Sequence, residues 1–150
     1  MARKIYGAYG SNINLRQMAY RCPNAKVIGQ GILNDYELTF RRGGYANIEP
    51  KKGASVPILF WEITQNCEHS LDRYEGYPTF YTKQTVAVEN ENGVFETMVY
   101  VMTDESRGGY QLPRVEYYYG IRDGYMDNHM PLAELTKALE KCKSEVFGDE

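Results

Sequence analysis

The pattern that decides the fold lies in the stretch Tyr6-Gly7-Ala8-Tyr9-Gly10-Ser11-Asn12, where a short apolar strand gives way to a helix. Up to Gly10 the residues alternate between two faces, as in a β-strand, whereas from Leu15 onwards apolar residues recur at helical spacing. Gly10 can adopt backbone angles that other residues avoid, and Ser11 or Asn12 can cap the first helical turn. Free N–H groups at such a turn, with the positive end of the helix, favour a carboxylate or a phosphate. The stretch therefore predicts an anion-binding turn or, alternatively, a well-capped connection without a ligand.

The composition is that of one domain of ordinary size. The 150 residues include 17 lysines and arginines against 20 aspartates and glutamates, and this net charge of −3 argues against a dominant electrostatic affinity for nucleic acid or anionic membranes. Cys22, Cys67 and Cys142 show neither zinc spacing nor an even count, so we interpret them as reduced core thiols. The first apolar run is too short for a signal peptide, and no later segment approaches a membrane span. We therefore expect a single cytoplasmic domain over residues 1–150.

Strand and helix signals alternate along the whole chain. Strands are predicted near residues 5–9, 27–32, 36–41, 45–49, 56–63, 81–89 and 94–102, and helices near 11–22, 64–75, 113–121 and 131–142. Turns are predicted at Asn34-Asp35, Lys51-Lys52-Gly53 and Asn92-Gly93, and a mobile loop at 103–111. Strands joined mostly by hairpins, with helices early, in the middle and late, predict an α+β domain built on a closed or nearly closed sheet.

Most familiar sets of catalytic residues are missing from the sequence. His69 and His129 are its only histidines, and neither has the spacing of a metal ligand or of a nucleophile and its base. The glycines of the opening stretch lack the spacing of a dinucleotide or phosphate loop. Arg41 to Tyr45 superficially resembles the Arg/Gly segments that bind single-stranded RNA, but a hairpin loop with a solvated arginine pair explains one copy better. Acid–base chemistry would therefore rest on a carboxylate.

Glu75 is the carboxylate that stands out. It lies at the end of a predicted helix that Thr64 caps and Gly76 terminates, where the helix dipole disfavours a negative charge by about 0.3–1 kcal/mol. Aromatic residues between Tyr74 and Tyr81 would desolvate it, and desolvation raises a carboxyl pKa toward the range of a general base. The 14 tyrosines of the chain suit a pocket with apolar walls and hydroxyl groups. The alternative is a solvated surface acid, or one paired with Arg73.

Three motifs follow one another along the chain: Tyr9-Gly10-Ser11-Asn12, Gly44-Tyr45-Ala46-Asn47-Ile48-Glu49-Pro50, and Tyr74-Glu75-Gly76-Tyr77-Pro78 with Tyr81 shortly after. In this order they resemble the gamma-glutamyl cyclotransferase family, from about residue 4 to residue 123. The resemblance implies an α+β fold, a small mixed and mostly antiparallel β-barrel flanked by helices. It also implies a reaction in which a γ-glutamyl compound releases its amine or amino acid while the glutamyl part closes to 5-oxoproline.

The resemblance also implies roles for individual residues. Glu75 matches the family's catalytic glutamate, a general acid and base. The positions that match substrate-binding residues are Tyr6, Gly7, Ala8, Tyr9, Gly10, Ser11, Asn12, Tyr81 and Tyr117. The first seven of these would hold the glutamyl α-carboxylate. The sequence departs from the family pattern at Ile13, where leucine is usual, and after Pro113, where a serine commonly follows. No metal or cofactor is implied, and the expected partner is a small γ-glutamyl substrate rather than nucleic acid or a membrane.

Other functions fit the same residues. A non-catalytic module could keep the barrel and its carboxylate pocket without processing the ligand. An enzyme of the same fold could instead remove a γ-glutamyl protecting group from a biosynthetic intermediate. The segment Tyr117-Tyr118-Tyr119 fits either a homodimer interface or the closing core of the barrel.

Overall fold

Residues 3–148 are described by a computed structural model, and within them five strands form a closed barrel that five helices flank. The strands are β1 (Lys4–Ala8), β2 (Lys26–Phe40), β3 (Ala46–Ile63), β4 (Tyr81–Asn90) and β5 (Gly93–Met102). The helices are α1 (Leu15–Arg21), α2 (Gln65–Glu75), α3 (Asp104–Arg107), α4 (Val115–Asp127) and α5 (Ala133–Phe147). The order around the barrel is β1-β3-β2-β4-β5, and β1 runs parallel to β5 while the other neighbours are antiparallel. The predicted mixed, mostly antiparallel barrel flanked by helices is confirmed.

The first hairpin is longer than the sequence predicts. β2 and β3 pair over nearly their whole lengths, so the four strands predicted here are two. Residues 51–54 of β3 bulge opposite Asp35, whose φ of 66° marks an irregularity in β2. The Asp35 carboxylate accepts a hydrogen bond from the Gly53 N–H at 3.0 Å. The turn predictions at Asn34-Asp35 and Lys51-Lys52-Gly53 were wrong because these residues bend two paired strands together rather than reversing the chain.

The second hairpin, β4–β5, is confirmed, although its turn lies one residue earlier than predicted. Asn90 pairs with Gly93, so the two turn residues are Glu91 and Asn92. The apolar run Ile58 to Trp61 is buried in β3, which pairs with β1 on one side and with β2 on the other. The barrel is closed, so β3 has the two neighbours expected of a central strand without being central.

Helix ends follow local signals closely at α2 and less closely elsewhere. The Thr64 side chain accepts a hydrogen bond from the Cys67 N–H at 3.2 Å, and Gly76, at φ 68°, terminates the helix in the left-handed conformation. Both predictions are confirmed, and Glu75 is the last residue of α2.

The start of α1 differs from the prediction. Its cap is Asn14, whose side chain accepts from the Gln17 N–H at 3.0 Å, because Ser11 and Asn12 belong to a separate 3-10 turn, Ser11–Ile13. The helix ends at Arg21, just before Pro23 as expected. The predicted caps at Ser11 or Asn12 were therefore wrong.

The later helices begin beyond the residues predicted to start them. α4 begins at Val115, two residues after Pro113, and α5 begins at Ala133, two residues after Pro131. The predicted loop at 103–111 contains the one-turn helix α3, which the Thr103 side chain caps.

Two of the three cysteines are joined, contrary to the prediction. A disulfide links Cys22, just after α1, to Cys67 in α2, and Cys142 is free and buried. The pairing joins positions 45 residues apart, and an odd number of cysteines gave no sign of it. In the part of the chain that the structure describes, no helix is long and apolar enough to cross a membrane.

Candidate active site

A cavity of about 200 Å³ opens where β1, the turn Ser11–Ile13 and the end of α2 meet. Its walls are mainly aromatic. The tyrosines that line it are Tyr6, Tyr9, Tyr45, Tyr74, Tyr81, Tyr100 and Tyr117. Among the described residues that line the cavity, only Glu75 is an acidic or basic side chain of the Asp, Glu, Lys, Arg or His type.

Most of the predicted site residues border this one cavity. They are Tyr6, Tyr9, Gly10, Ser11, Asn12, Glu75, Tyr81 and Tyr117. Gly7 and Ala8 do not line it. They lie within β1, where a Cβ on Gly7 would come within 3.0 Å of both Thr97 and Ile58, and Ala8 is buried in the core.

Gly10 makes a close contact with the start of β3. Its φ is −122°, so its backbone is not in the left-handed conformation. A Cβ at this position would lie 3.2 Å from the Cβ of Ala46, the first residue of β3. Glycine therefore lets the turn lie tightly against the start of β3.

The turn Ser11–Ile13 borders the cavity through Ser11 and Asn12. Its internal hydrogen bonds run from Ile13 N–H to Gly10 O and from Asn14 N–H to Ser11 O. The N–H groups of Ser11 and Asn12, at the start of the turn, take no part in these two bonds. The Trp61 indole N–H holds the turn from β3 by donating to the Asn12 carbonyl at 2.9 Å.

Helix α2 is fixed to the barrel one turn before Glu75. The Tyr100 hydroxyl donates to the Asp72 carboxylate at 2.6 Å, and Lys83 lies 3.0 Å from the same carboxylate. Lys83 also pairs with Glu68 at 2.6 Å. Side chains from β4 and β5 therefore set the position of the helix end that carries Glu75.

The environment of Glu75 suits proton transfer near neutral pH. The Asn12 side-chain N–H₂ donates to the Glu75 carboxylate at 3.3 Å and to the Tyr6 hydroxyl at 2.8 Å. Burial raises the pKa of Glu75 to about 7, against the charge of Arg21 and the Asn12 hydrogen bond, which lower it. A carboxyl with this pKa can both accept and donate a proton at neutral pH. The Glu75 side chain is half-buried rather than a fully solvated surface acid, and Arg73 contacts Ser70.

Tyr81 and Tyr117 reach the cavity from β4 and α4 and meet at Ala46. The Tyr81 hydroxyl donates to the Ala46 carbonyl at 2.6 Å, and the Tyr117 oxygen accepts from the Ala46 N–H at 3.0 Å. Burial raises the pKa of both hydroxyls above the usual value, so both stay protonated near neutral pH. The proton of Tyr117 is directed to no acceptor among the contacts of residues 3–148, which leaves it available to a ligand.

The predicted hairpin loop connects β2 to β3, and Arg42 of its arginine pair is exposed as expected. Arg41 is not solvated but pairs with Glu49 at 2.6 Å. Gly44 has a φ of 77°, and a Cβ there would lie 2.4 Å from the Leu112 carbonyl oxygen. Only glycine therefore allows this loop to pack against the segment before α4 and so bring Tyr45 to the cavity.

The sequence did not predict several residues that lie in or beside the cavity. Tyr45 and Ala46 lie in the second motif, so a signal was present, whereas Tyr100 lies in an ordinary strand pattern and gave none. Arg21 also gave no signal, although its guanidinium donates to the Asn12 side-chain oxygen at 2.5 Å. Among residues 3–148 there is no group of three or more His, Cys, Asp or Glu side chains that could hold a metal ion.

The chain is similar to known proteins in sequence and in fold. The family model described as gamma-glutamyl cyclotransferase, AIG2-like, matches residues 6–119. A gamma-glutamylcyclotransferase from Homo sapiens is 29% identical in an alignment that covers 91% of this chain and 78% of the human protein. A gamma-glutamylcyclotransferase from Bos taurus is 28% identical in an alignment that covers 93% of this chain and 78% of the bovine protein.

A solved structure of a gamma-glutamyl cyclotransferase shares the fold. It superposes with a TM-score of 0.80 at 26% identity, over 91% of this chain and 86% of that protein. With the family match extending over most of the barrel and the first turn of α4, the chain belongs to the gamma-glutamyl cyclotransferase, AIG2-like family.

Proposed function

We propose that this protein is a cyclotransferase that acts on a γ-glutamyl amino acid, amine or peptide and forms 5-oxoproline, with Glu75 as its general acid and base. The observation that carries the proposal is the position of the Glu75 carboxyl, whose pKa is about 7, in the same cavity as Gly10 to Asn12. The family and the names of the relatives indicate an enzyme of this type.

The glutamyl end of the substrate binds against the turn. Its α-carboxylate accepts hydrogen bonds from the backbone N–H groups at the start of the turn, which the internal bonds of the turn leave out. Tyr6, Tyr9 and Tyr81 form the surrounding wall. Gly7 and Ala8 contribute by packing rather than by touching the ligand, because they let β1 lie close to its neighbours.

The reaction uses a nucleophile that the substrate itself carries. The α-amine nitrogen attacks the δ-carbonyl carbon, and the Glu75 carboxylate takes a proton from that nitrogen. The tetrahedral intermediate then collapses, the bond between the δ-carbon and the departing nitrogen breaks, and Glu75 returns the proton to the departing amine. The products are 5-oxoproline and a free amine, and no cofactor takes part in this scheme.

Two further effects lower the barrier. Holding the glutamyl chain curled brings nucleophile and carbonyl together, and such positioning can supply roughly 7–11 kcal/mol. The Tyr117 hydroxyl, or an N–H of the turn, stabilises the oxyanion that forms on the δ-carbonyl oxygen.

Location and assembly stay predictions. A cytoplasmic enzyme was expected from the sequence, and the Cys22–Cys67 disulfide is the observation against it, since persistent disulfides are rare in the cytosol. A homodimer through Tyr117-Tyr118-Tyr119 would have to use the exposed Tyr119, because Tyr117 lines the cavity.

The test is to incubate the protein with γ-glutamyl amino acids, amines, peptides and larger conjugates and to measure 5-oxoproline. We expect turnover with the unmodified protein, none with Glu75→Gln, and unchanged turnover with Glu91→Gln, a matched change at an exposed turn residue. Turnover that survives Glu75→Gln would contradict the mechanism. Unchanged ligand recovered from a saturated complex would indicate a binding module, and turnover of the large conjugates alone would indicate removal of a protecting group.

A further inference from the structure

Arg21 contacts the turn and α2 at once without lining the cavity. From the end of α1 its guanidinium donates to the Asn12 side-chain oxygen at 2.5 Å and to the Ser11 hydroxyl at 3.2 Å. A third hydrogen bond goes to the Gln17 side chain at 2.9 Å, and the guanidinium stacks 3.7 Å from the centre of the Tyr74 ring. These contacts hold the guanidinium between the turn and α2.

The position of its backbone is fixed as well. The next residue, Cys22, is joined by the disulfide to Cys67 of α2. The end of α1 is therefore tied to the helix whose last residue is Glu75.

The contact with Asn12 determines which way its amide faces. A side-chain amide has one acceptor oxygen and one N–H₂ donor. Because Arg21 takes the oxygen, the N–H₂ points to the opposite side, where it meets the Glu75 carboxylate at 3.3 Å and the Tyr6 hydroxyl at 2.8 Å. With the amide reversed, its oxygen would face the carboxylate, and two acceptors would repel each other.

We propose that Arg21 is a positioning residue for the cyclotransferase reaction: it orients Asn12 so that the amide N–H₂ holds the Glu75 carboxylate at the turn where the substrate binds. This inference rests on the proposed function. No ion pair joins Arg21 to Glu75 among the contacts of residues 3–148, so Arg21 acts through Asn12 and through its charge at longer range.

Arg21 is the charged side chain that acts on the Glu75 carboxyl. Glu75 in turn raises the pKa of tyrosines in β1, β4, β5, α4 and the loop after β1, namely Tyr6, Tyr9, Tyr81, Tyr100 and Tyr117. Burial raises the pKa of each, so all are uncharged near neutral pH. Arg21 is therefore the charged group that opposes the effect of burial on Glu75.

The test compares Arg21→Gln, which removes the charge and the planar fork of guanidinium N–H donors, with Arg21→Lys, which keeps the charge and an ammonium donor but not the fork. Arg16→Gln, an exposed arginine of the same helix, is the control. The first readout is the titration midpoint of the Glu75 carboxyl, followed by NMR with ¹³C-labelled glutamate and assigned with Glu75→Gln. We expect a midpoint above 7 in Arg21→Gln and an unchanged midpoint in Arg21→Lys and Arg16→Gln.

The second readout is kinetic. We expect kcat to fall roughly 10- to 100-fold in both Arg21 variants, with a smaller change in KM, because a misplaced carboxylate weakens the reacting geometry more than substrate binding. In a double-mutant cycle, Arg21→Gln should cost less in an Asn12→Ala background, since the amide it orients is gone.

The outcomes separate this inference from the proposed function. A wild-type midpoint and wild-type kcat in Arg21→Gln would overturn the positioning role. Equal costs of Arg21→Gln with and without Asn12 would also overturn it. If the unmodified protein forms no 5-oxoproline, the proposed function fails, while the NMR midpoint still tests the coupling of Arg21 to Glu75. If Arg21→Gln does not fold, a wild-type kcat in Arg21→Lys would overturn the role of the fork.

Discussion

Replacing Glu75 by glutamine should stabilise the protein above pH 7 even though it removes the proposed activity. Burial raises the pKa of this carboxyl from 4.5 to about 7. Each pKa unit corresponds to about 1.4 kcal/mol, so ionising Glu75 in the folded state costs up to about 3 kcal/mol. Glutamine keeps the shape, and its oxygen can accept the Asn12 hydrogen bond, but it carries no charge.

The sign of the pH dependence follows from proton binding. Between pH 4.5 and 7 the folded protein holds a proton on Glu75 that the unfolded chain has lost, so the free energy of unfolding falls as pH rises through this range. The stabilisation that comes from the extra proton on folded Glu75 is fully present below pH 4.5 and lost above pH 7. Glu75→Gln does not lose stability in this way. Its free energy of unfolding should exceed that of the wild type by near zero at pH 4.5 and by a limit of about 3 kcal/mol at pH 8.

The assay is urea denaturation of both proteins at intervals from pH 4.5 to 8, with Glu91→Gln as the control for removal of one negative charge from the surface. The control should follow the wild-type protein throughout. A difference between Glu75→Gln and wild type that does not change with pH would refute the reasoning, as would a wild-type protein that is the more stable one at pH 8.

Three further predictions follow from the fold and the site. Cys67→Ser should lower the free energy of unfolding by about 4 kcal/mol, the chain-entropy value for a loop of this length. In chemical denaturation, the reduced wild-type protein should have the same free energy of unfolding as the variant. Equal midpoints for the variant and the oxidised wild-type protein would contradict the link to Cys22. Gly44→Ala should cost about 1–3 kcal/mol more than Gly53→Ala in thermal unfolding, because both glycines have positive φ but only the first has a neighbour in the way, and similar melting temperatures would count against that packing. The kcat/KM for 5-oxoproline formation should fall about tenfold per pH unit below 7 and level off above it, because the free enzyme needs the Glu75 carboxylate; a flat profile between pH 5 and 8 would exclude it as the base.

Local signals were enough to place the catalytic candidate. The cap at Thr64 and the left-handed Gly76 fix both ends of α2, and so put Glu75 at the last helical position. Its aromatic neighbours were visible in the sequence as well. That the carboxyl would be buried beside Asn12 is a long-range result, since 63 positions separate the two residues.

What the sequence did not predict depends on contacts between distant segments. Asp35 carries a turn signal, yet it lies in a strand because β3 bulges opposite it. The Cys22–Cys67 pairing and the role of Arg21 depend on how α1 lies against α2, which no spacing within either helix reveals. Resemblance to a family supplied the barrel and most of the site residues, but it placed Gly7 and Ala8 at the ligand, where the structure gives them packing roles.

The hydrogen bond from Trp61 to the Asn12 carbonyl allows the site to be followed by tryptophan fluorescence. The chain contains a single tryptophan, and its indole N–H is bonded directly to the turn where the glutamyl carboxylate is proposed to bind. Indole emission is sensitive to its hydrogen-bonding partner, so unlabelled protein reports on this turn without interference from a second fluorophore of the same kind. Ligand binding at this turn can thus be followed by tryptophan fluorescence in Glu75→Gln as well as in the unmodified protein.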